Sequence, residues 1–155
     1  MKHDLSLIQN LKSDDKVIGF TASTFDCLHA GHIAMLAEAK ANCDFLIVGL
    51  LTDPTNDRQD QKNKPVQSIF ERWVQLSAIE FVDMTIPFES EKDLIDLLLV
   101  IKPHIRFAGD EYKDTEHTGK HIKDIKMYYN KREHSFSSTE LRERVIATFS
   151  GKTDV

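Results

Sequence analysis

The sequence has little of what would staple a chain or anchor it in a membrane. It holds two cysteines, Cys27 and Cys43, in 155 residues. That is too few for a disulfide framework, so a reducing, cytoplasmic setting is expected. Its most apolar stretch, residues 94–101, contains Asp96 and falls far short of the ~20 residues that a bilayer requires. The N-terminus opens no apolar run of signal-peptide type. Basic residues are outnumbered, 20 against 25 acidic, for a formal net charge of −5. That argues against nucleic acid as a partner, because phosphate backbones attract basic faces. A small phosphorylated ligand is not excluded, since it needs only a local positive pocket. No internal repeat or low-complexity tract occurs.

What is present reads as one globular domain over residues 1–155, with 41% hydrophobic and 29% charged residues. The length suffices for a core without staples. Residues 1–16 form an N-terminal extension, with a short helix expected over 5–11. Short apolar or β-branched runs then alternate with amphipathic stretches. Strands are expected at 17–22, 45–51, 81–86, 105–108 and 125–129. Helices are expected at 32–41, from 69 through Glu80, at 93–101, and from the second Ser-x-x-Glu capping box at Ser137 through Ala147. His117 and His121 read as the solvated face of a polar helix. Residues 52–65, polar and containing two prolines, are the expected mobile loop. This alternation predicts an α/β fold: a Rossmann-like parallel sheet of about five strands with helices on both faces. Ligands of such sheets bind beyond the carboxyl ends of the strands.

The first such end carries the most suggestive chemistry. Thr24-Phe25-Asp26-Cys27-Leu28-His29-Ala30-Gly31-His32 places two imidazoles three residues apart where a helix begins. Gly31 removes a side chain where a ligand could approach closely. The helix N-terminus adds free N–H donors and partial positive charge, both suited to phosphate. Zinc is the competing chemistry, with Cys27, His29 and His32 as partial ligands, but no second pair of ligand-spaced residues accompanies them. Asp26 reads as a residue that holds the turn.

This segment resembles the HxGH signature of the nucleotidyltransferase superfamily, and its FD-x-LH-x-GH form is similar to the cytidylyltransferase branch. Phe136-Ser137-Ser138-Thr139-Glu140-Leu141-Arg142 resembles that branch's second signature, led in by Arg132. Ala108-Gly109-Asp110-Glu111-Tyr112 resembles its loop after the fourth strand, and Glu71-Arg72 the start of its helix after the lysine loop. The similarity runs from about residue 17 to 145, and among family members the glycerol-3-phosphate enzymes match best in length.

The resemblance implies transfer of CMP from CTP to a small phosphate monoester, glycerol 3-phosphate or a related polyol or amino-alcohol phosphate, with release of pyrophosphate. It implies that His29 and His32 donate to the α-phosphate and leaving group. Arg132 would hold phosphate charge, and Lys62 or Lys64 would close over it. Thr24, Phe25, Gly31, Gly109, Asp110, Glu111, Ser137, Ser138 and Thr139 would line the nucleotide. Mg²⁺ would bridge phosphate oxygens without protein ligands of its own, and the chain would form a homodimer.

Three positions depart from the pattern. Ser23 and Ser135 stand where the family usually has glycine. Glu80 stands where the glycerol-3-phosphate enzymes tend to have arginine, and an acid beside an acceptor dianion would disfavour it. The heptose branch of adenylyltransferases has a similar LH-x-GH and a comparable loop after the fourth strand, and Lys64-Pro65-Val66 is compatible with it. An adenylyltransferase acting on a sugar 1-phosphate is therefore the alternative. A nucleotide-binding protein without turnover is a further one.

Overall fold

The computed structural model describes residues 2–150, with side chains from Leu5 to Phe149. Residues 151–155 of the expected domain lie outside the described residues. The elements, in chain order, are α1 (Lys2–Ser13), β1 (Ile18–Ser23), α2 (Ala30–Ala41), β2 (Phe45–Leu51), α3 (Ile69–Ser77), β3 (Met84–Phe88), α4 (Glu91–Ile101), β4 (Ile105–Gly109), a 3₁₀ turn (Asp110–Tyr112), β5 (Lys126–Asn130) and α5 (Ser138–Ser150). The strands form one five-stranded sheet in the order β3-β2-β1-β4-β5. Every pairing is parallel.

Alternation along the central strands builds two cores. Ile18, Phe20, Ile47 and Leu51 meet Ile8 of α1 and Leu94, Leu98 and Ile101 of α4 on one face. Leu46, Val48, Leu50 and Phe107 meet Leu36 and Ala39 of α2 and Leu76 of α3 on the other. β2 is therefore apolar at almost every position, as a strand covered on both sides must be. The N-terminal extension belongs to this core. Ile8 is buried, and Lys12 Nζ donates to Ile101 O at 2.6 Å and Lys102 O at 2.7 Å, satisfying carbonyls that the C-terminus of α4 leaves free.

Four expectations shift. The third strand begins at Met84 rather than residue 81, because Ile79 and Val82 close turns onto Leu76 O and Ile79 O, while Phe81 and Val82 pack beneath α3 and α2. For the same reason α3 ends at Ser77 and not at Glu80. His117 and His121 lie in turns, not on a helix: Lys120 N bonds His117 O, His117 Nε2 meets the Tyr129 hydroxyl at 3.4 Å, and His121 Nε2 meets Glu116. The loop at 52–65 is wound into turns through Arg58, Gln61 and Lys62. It is also tied to the start of α4, by Asp57 accepting from Glu91 N at 2.6 Å and by the Arg58–Glu91 ion pair.

Among the described residues no helix is long and apolar enough to cross a membrane.

Candidate active site

β1 lies at the middle of the sheet with β2 on one side and β4 on the other. In a parallel sheet the carboxyl ends share an edge, so the segment after β1 opens where the strand order reverses, the usual ligand position in such folds. That segment is a tightly held turn. Phe25 and Cys27 both have φ of 50°, a left-handed conformation that non-glycine residues adopt at a cost. Asp26 offsets that cost: its carboxylate accepts from Val66 N at 3.0 Å and Gln67 N at 2.9 Å and from the Arg142 guanidinium of α5. Burial alone would push the Asp26 carboxyl up, but the two amides and Arg142 outweigh it and hold it below the usual carboxylate range. Gln67 also returns its side-chain oxygen to Cys27 N at 2.9 Å.

Arg72 braces the turn from beneath. Its side chain is 2% exposed, and it donates to Thr24 O, Leu51 O, Thr52 O and Gln67 O at 2.6–3.2 Å. One guanidinium thereby joins the ends of β1 and β2 to the start of α3.

His29 is the N-cap of α2. Its Nδ1 accepts from Gly31 N at 3.1 Å. That nitrogen is therefore unprotonated, and in the neutral ring the proton sits on Nε2, leaving an N–H donor. The His32 ring stacks on His29 with centroids 3.9 Å apart and leans on buried Phe25 at 5.3 Å. Burial, with His29 as neighbour, pushes the His32 pKa down to about 4. Burial lowers that of His29 too, reinforced by His134, Arg132 and Arg144. Both rings are therefore neutral near pH 7, and each offers one N–H.

α5 completes this region. Ser138 Oγ donates to Asp26 O at 3.1 Å, and Ser137 Oγ accepts from Glu140 N at 3.1 Å. The second signature is thereby clamped to the first. The Ser138 hydroxyl proton is thus committed to that clamp. Arg132 lies close enough to His29 to influence its charge, and its Nη2 donates to Phe136 O. Of the other expected residues, Thr24 engages Arg72 through its carbonyl, and Phe25 is a buried support. Lys62 and Lys64 are exposed on the loop after β2. Gly109, Asp110 and Glu111 end β4 at the same sheet edge, and the Glu111 carboxylate folds back over Gly109, where a Cβ would meet it. Glu80 is exposed before the amino end of β3, at the edge of the sheet opposite the HxGH turn.

Among the described residues no group of three or more His, Cys, Asp or Glu is arranged to hold a metal ion.

The cytidylyltransferase-like family model matches residues 20–144. The chain belongs to the cytidylyltransferase-like family. Within this family of nucleotidyltransferases, it is similar to the bifunctional protein HldE of Campylobacter jejuni subsp. jejuni serotype O:6 (strain 81116 / NCTC 11828), at 37% identity over 145 residues. That alignment covers 94% of this chain and 31% of the relative. The HldE protein of Caulobacter sp. (strain K31) is 35% identical over 108 residues, covering 70% of this chain and 22% of its own. The chain thus spans less than a third of the length of these relatives. Its fold is also that of a lipopolysaccharide core biosynthesis protein from Thermoplasma volcanium GSS1. The TM-score there is 0.54 at 24% identity, over 86% of this chain and 89% of that one. A pantothenate synthetase from Thermus thermophilus also shares it, with a TM-score of 0.54 at 15% identity, over 88% and 68%. A cytidylyltransferase-like chain with this sheet order places its two signatures, 24–32 and 136–142, at one edge. Asp26 is the residue that holds them together.

Three features of this arrangement escape a reading of the sequence. Arg72 stands in the Glu71-Arg72 pair that marks the helix start, but its bracing role, like that of Gln67, runs through partners far along the chain that no local pattern shows. His134, beside His29, stands alone in a polar stretch.

Proposed function

We propose that this cytidylyltransferase-like chain transfers AMP from ATP to a sugar 1-phosphate, as in the heptose branch of the superfamily. The observation that carries this choice of nucleotide is the similarity to the HldE proteins over 94% of the chain. The loops at Lys64-Pro65-Val66 and Gly109-Asp110-Glu111-Tyr112 are compatible with it. The observation that carries the reaction type is the paired neutral imidazoles at the N-terminus of α2.

In the proposed step an oxygen of the acceptor phosphate attacks the α-phosphorus of the nucleotide. A new O–P bond forms, the bridging bond to the β-phosphate breaks, and pyrophosphate leaves with the bonding electrons. His29 Nε2–H and the His32 N–H donate to the α-phosphate and bridging oxygens, where negative charge grows. Preorganised neutral donors serve this well because they need no reorganisation during reaction. Ser137, Thr139 and the first amides of α5 receive the β- and γ-phosphates, and Arg132 balances their charge. Lys62 and Lys64 are free to close over them from the exposed loop. The Asp26 carboxylate is already committed to two amides and Arg142. Magnesium, as we propose it, would be held by the substrate's phosphate groups and would supply charge neutralisation there. Nothing else is required beyond positioning and charge neutralisation.

A second reading, cytidylyl transfer from CTP, is favoured by the FD-x-LH-x-GH form of the first signature and by Arg132. Pyrophosphate release decides between them. The protein is assayed with ATP and with CTP separately, against a panel of sugar 1-phosphates, glycerol 3-phosphate, phosphocholine and phosphoethanolamine. Turnover with ATP and a sugar 1-phosphate is expected. Turnover with CTP alone overturns the first reading, and nucleotide binding without pyrophosphate release overturns both. A homodimer is proposed as the working assembly.

A further inference from the structure

A third imidazole lies at the HxGH turn. A Cβ built on Gly31 would meet His134 Cε1 at 2.8 Å, closer than it would meet the His29 ring at 3.0 Å. The space that Gly31 keeps clear is therefore covered by the His134 ring. Nδ1, the neighbour of that Cε1 atom, is buried without a hydrogen-bond partner, and so is His32 Nδ1. Buried polar atoms of this kind are rare in folded proteins and call for an explanation. His134 also lines an open groove of about 420 Å³ with Ala34, Glu38, Tyr128, Lys131 and Glu133, space into which the ring can turn. Phe136 stacks on it at 5.2 Å and keeps it near the turn. Arg132 and Arg144, both cationic, bear electrostatically on neighbouring His29. No motif residue of either signature stands at His134 or Arg144.

We infer that His134 is a third phosphate-binding imidazole of this site, turning from its seat over Gly31 to donate a hydrogen bond to the polyphosphate that takes that place. The inference rests on the phosphate-site reading above. It makes His134 a ligand and not merely a plug, and the two roles differ in sign: removing a plug tightens binding, whereas removing a ligand weakens it.

Inorganic tripolyphosphate tests this without reference to base or acceptor. Calorimetric titration of the intact chain is compared with His134→Ala and His134→Gln. The alanine variant is expected to bind about tenfold more weakly or worse, the order of one hydrogen bond to a charged group. Glutamine, which restores an N–H donor, is expected to recover most of that loss. In the unmutated protein, the His134 ring resonances are expected to shift on saturation. Equal or tighter binding by the alanine variant overturns the inference. So do His134 signals that stay unmoved while tripolyphosphate binds, even if the variants fail to fold. A chain that binds no tripolyphosphate removes the nucleotidyl-transfer reading as well, so the two failures are distinguishable.

Discussion

Asp26 and Arg142, 116 positions apart, form an ion pair that docks the last helix onto the turn after the first strand. The carboxylate is almost wholly buried while the guanidinium is partly exposed, so the two partners are unequal. Asp26→Asn removes the charge but keeps the shape, leaving Arg142 opposite a neutral amide and turning one acceptor of a backbone amide into a donor. Breaking a buried pair from one side costs about 3–5 kcal/mol. We expect about 3 kcal/mol for Asp26→Asn and about 1 kcal/mol for the half-exposed Arg142→Ala, read from chemical denaturation followed by Trp73 fluorescence. Equal losses for the two would show that the amides of Val66 and Gln67 contribute nothing.

Arg72 makes a sharper prediction. Arg72→Met fills similar volume but strands the carbonyls of Thr24, Leu51, Thr52 and Gln67 without their donor. A loss of about 3–5 kcal/mol is expected. Lysine should not rescue it, since one ammonium cannot reproduce the planar fork. Full rescue by Arg72→Lys would mean that charge alone matters there.

The low pKa of His32 has a defined consequence for acid stability. The folded ring titrates at about 4, while the free side chain titrates at 6.5. As pH falls below 6.5 the unfolded chain takes up a proton that the folded one refuses, so stability declines until about pH 4 and then levels. The size is about 3 kcal/mol. Asp26 acts in the same direction, its contribution being lost as pH falls through a carboxyl pKa held below the usual range. Ring-resonance titration should give a midpoint for His32 well below that of an exposed histidine. A midpoint near 6.5 would remove this contribution to acid stability.

For turnover, His32→Ala should lower kcat by a hundredfold or more, following the about 2.7–4 kcal/mol typical of a lost transition-state donor. His32→Ala should leave tripolyphosphate binding less affected than turnover, because its donor acts where charge develops. Comparable losses in both would make it a ground-state ligand.

Gly31→Ala isolates the space above the turn. Alanine suits a helix better than glycine by about 1 kcal/mol, so folding should be little harmed. Its Cβ would nevertheless press on His134 at 2.8 Å and on His29 at 3.0 Å. A stable protein with impaired turnover is expected from paired denaturation and pyrophosphate assays. Unimpaired turnover would show that no phosphate approaches that amide.

Most strands were legible because their apolar runs are continuous: residues 45–51 read as a strand buried on both faces, and β2 occupies that span. The error at β3 came from reading Phe81 and Val82 as the opening of a strand, when they are the packing after a helix. Within the site, neighbours along the chain were legible and partners distant in sequence were not. His29, Gly31 and His32 stand in one short motif. Asp26 is visible only as a turn residue until Val66, Gln67 and Arg142 are brought to it, and the Arg72 side chain makes sense only beside four carbonyls from three segments. Lys62 and Lys64 are exposed on their loop, and Glu80 lies at the edge of the sheet opposite the HxGH turn.

The strand order has a consequence for synthesis. As the chain leaves the ribosome, β1, β2 and β3 can pair in the order in which they are made, but the other edge of β1 stays open until β4 arrives at Ile105. That edge carries Ile18 and Phe20, both fully buried in the finished fold. A half-made chain therefore exposes an apolar, unpaired strand of the kind that invites association. It is also without α5, so Asp26 has neither Ser138 nor Arg142, and the turn after β1 takes its final shape only when the last helix is out.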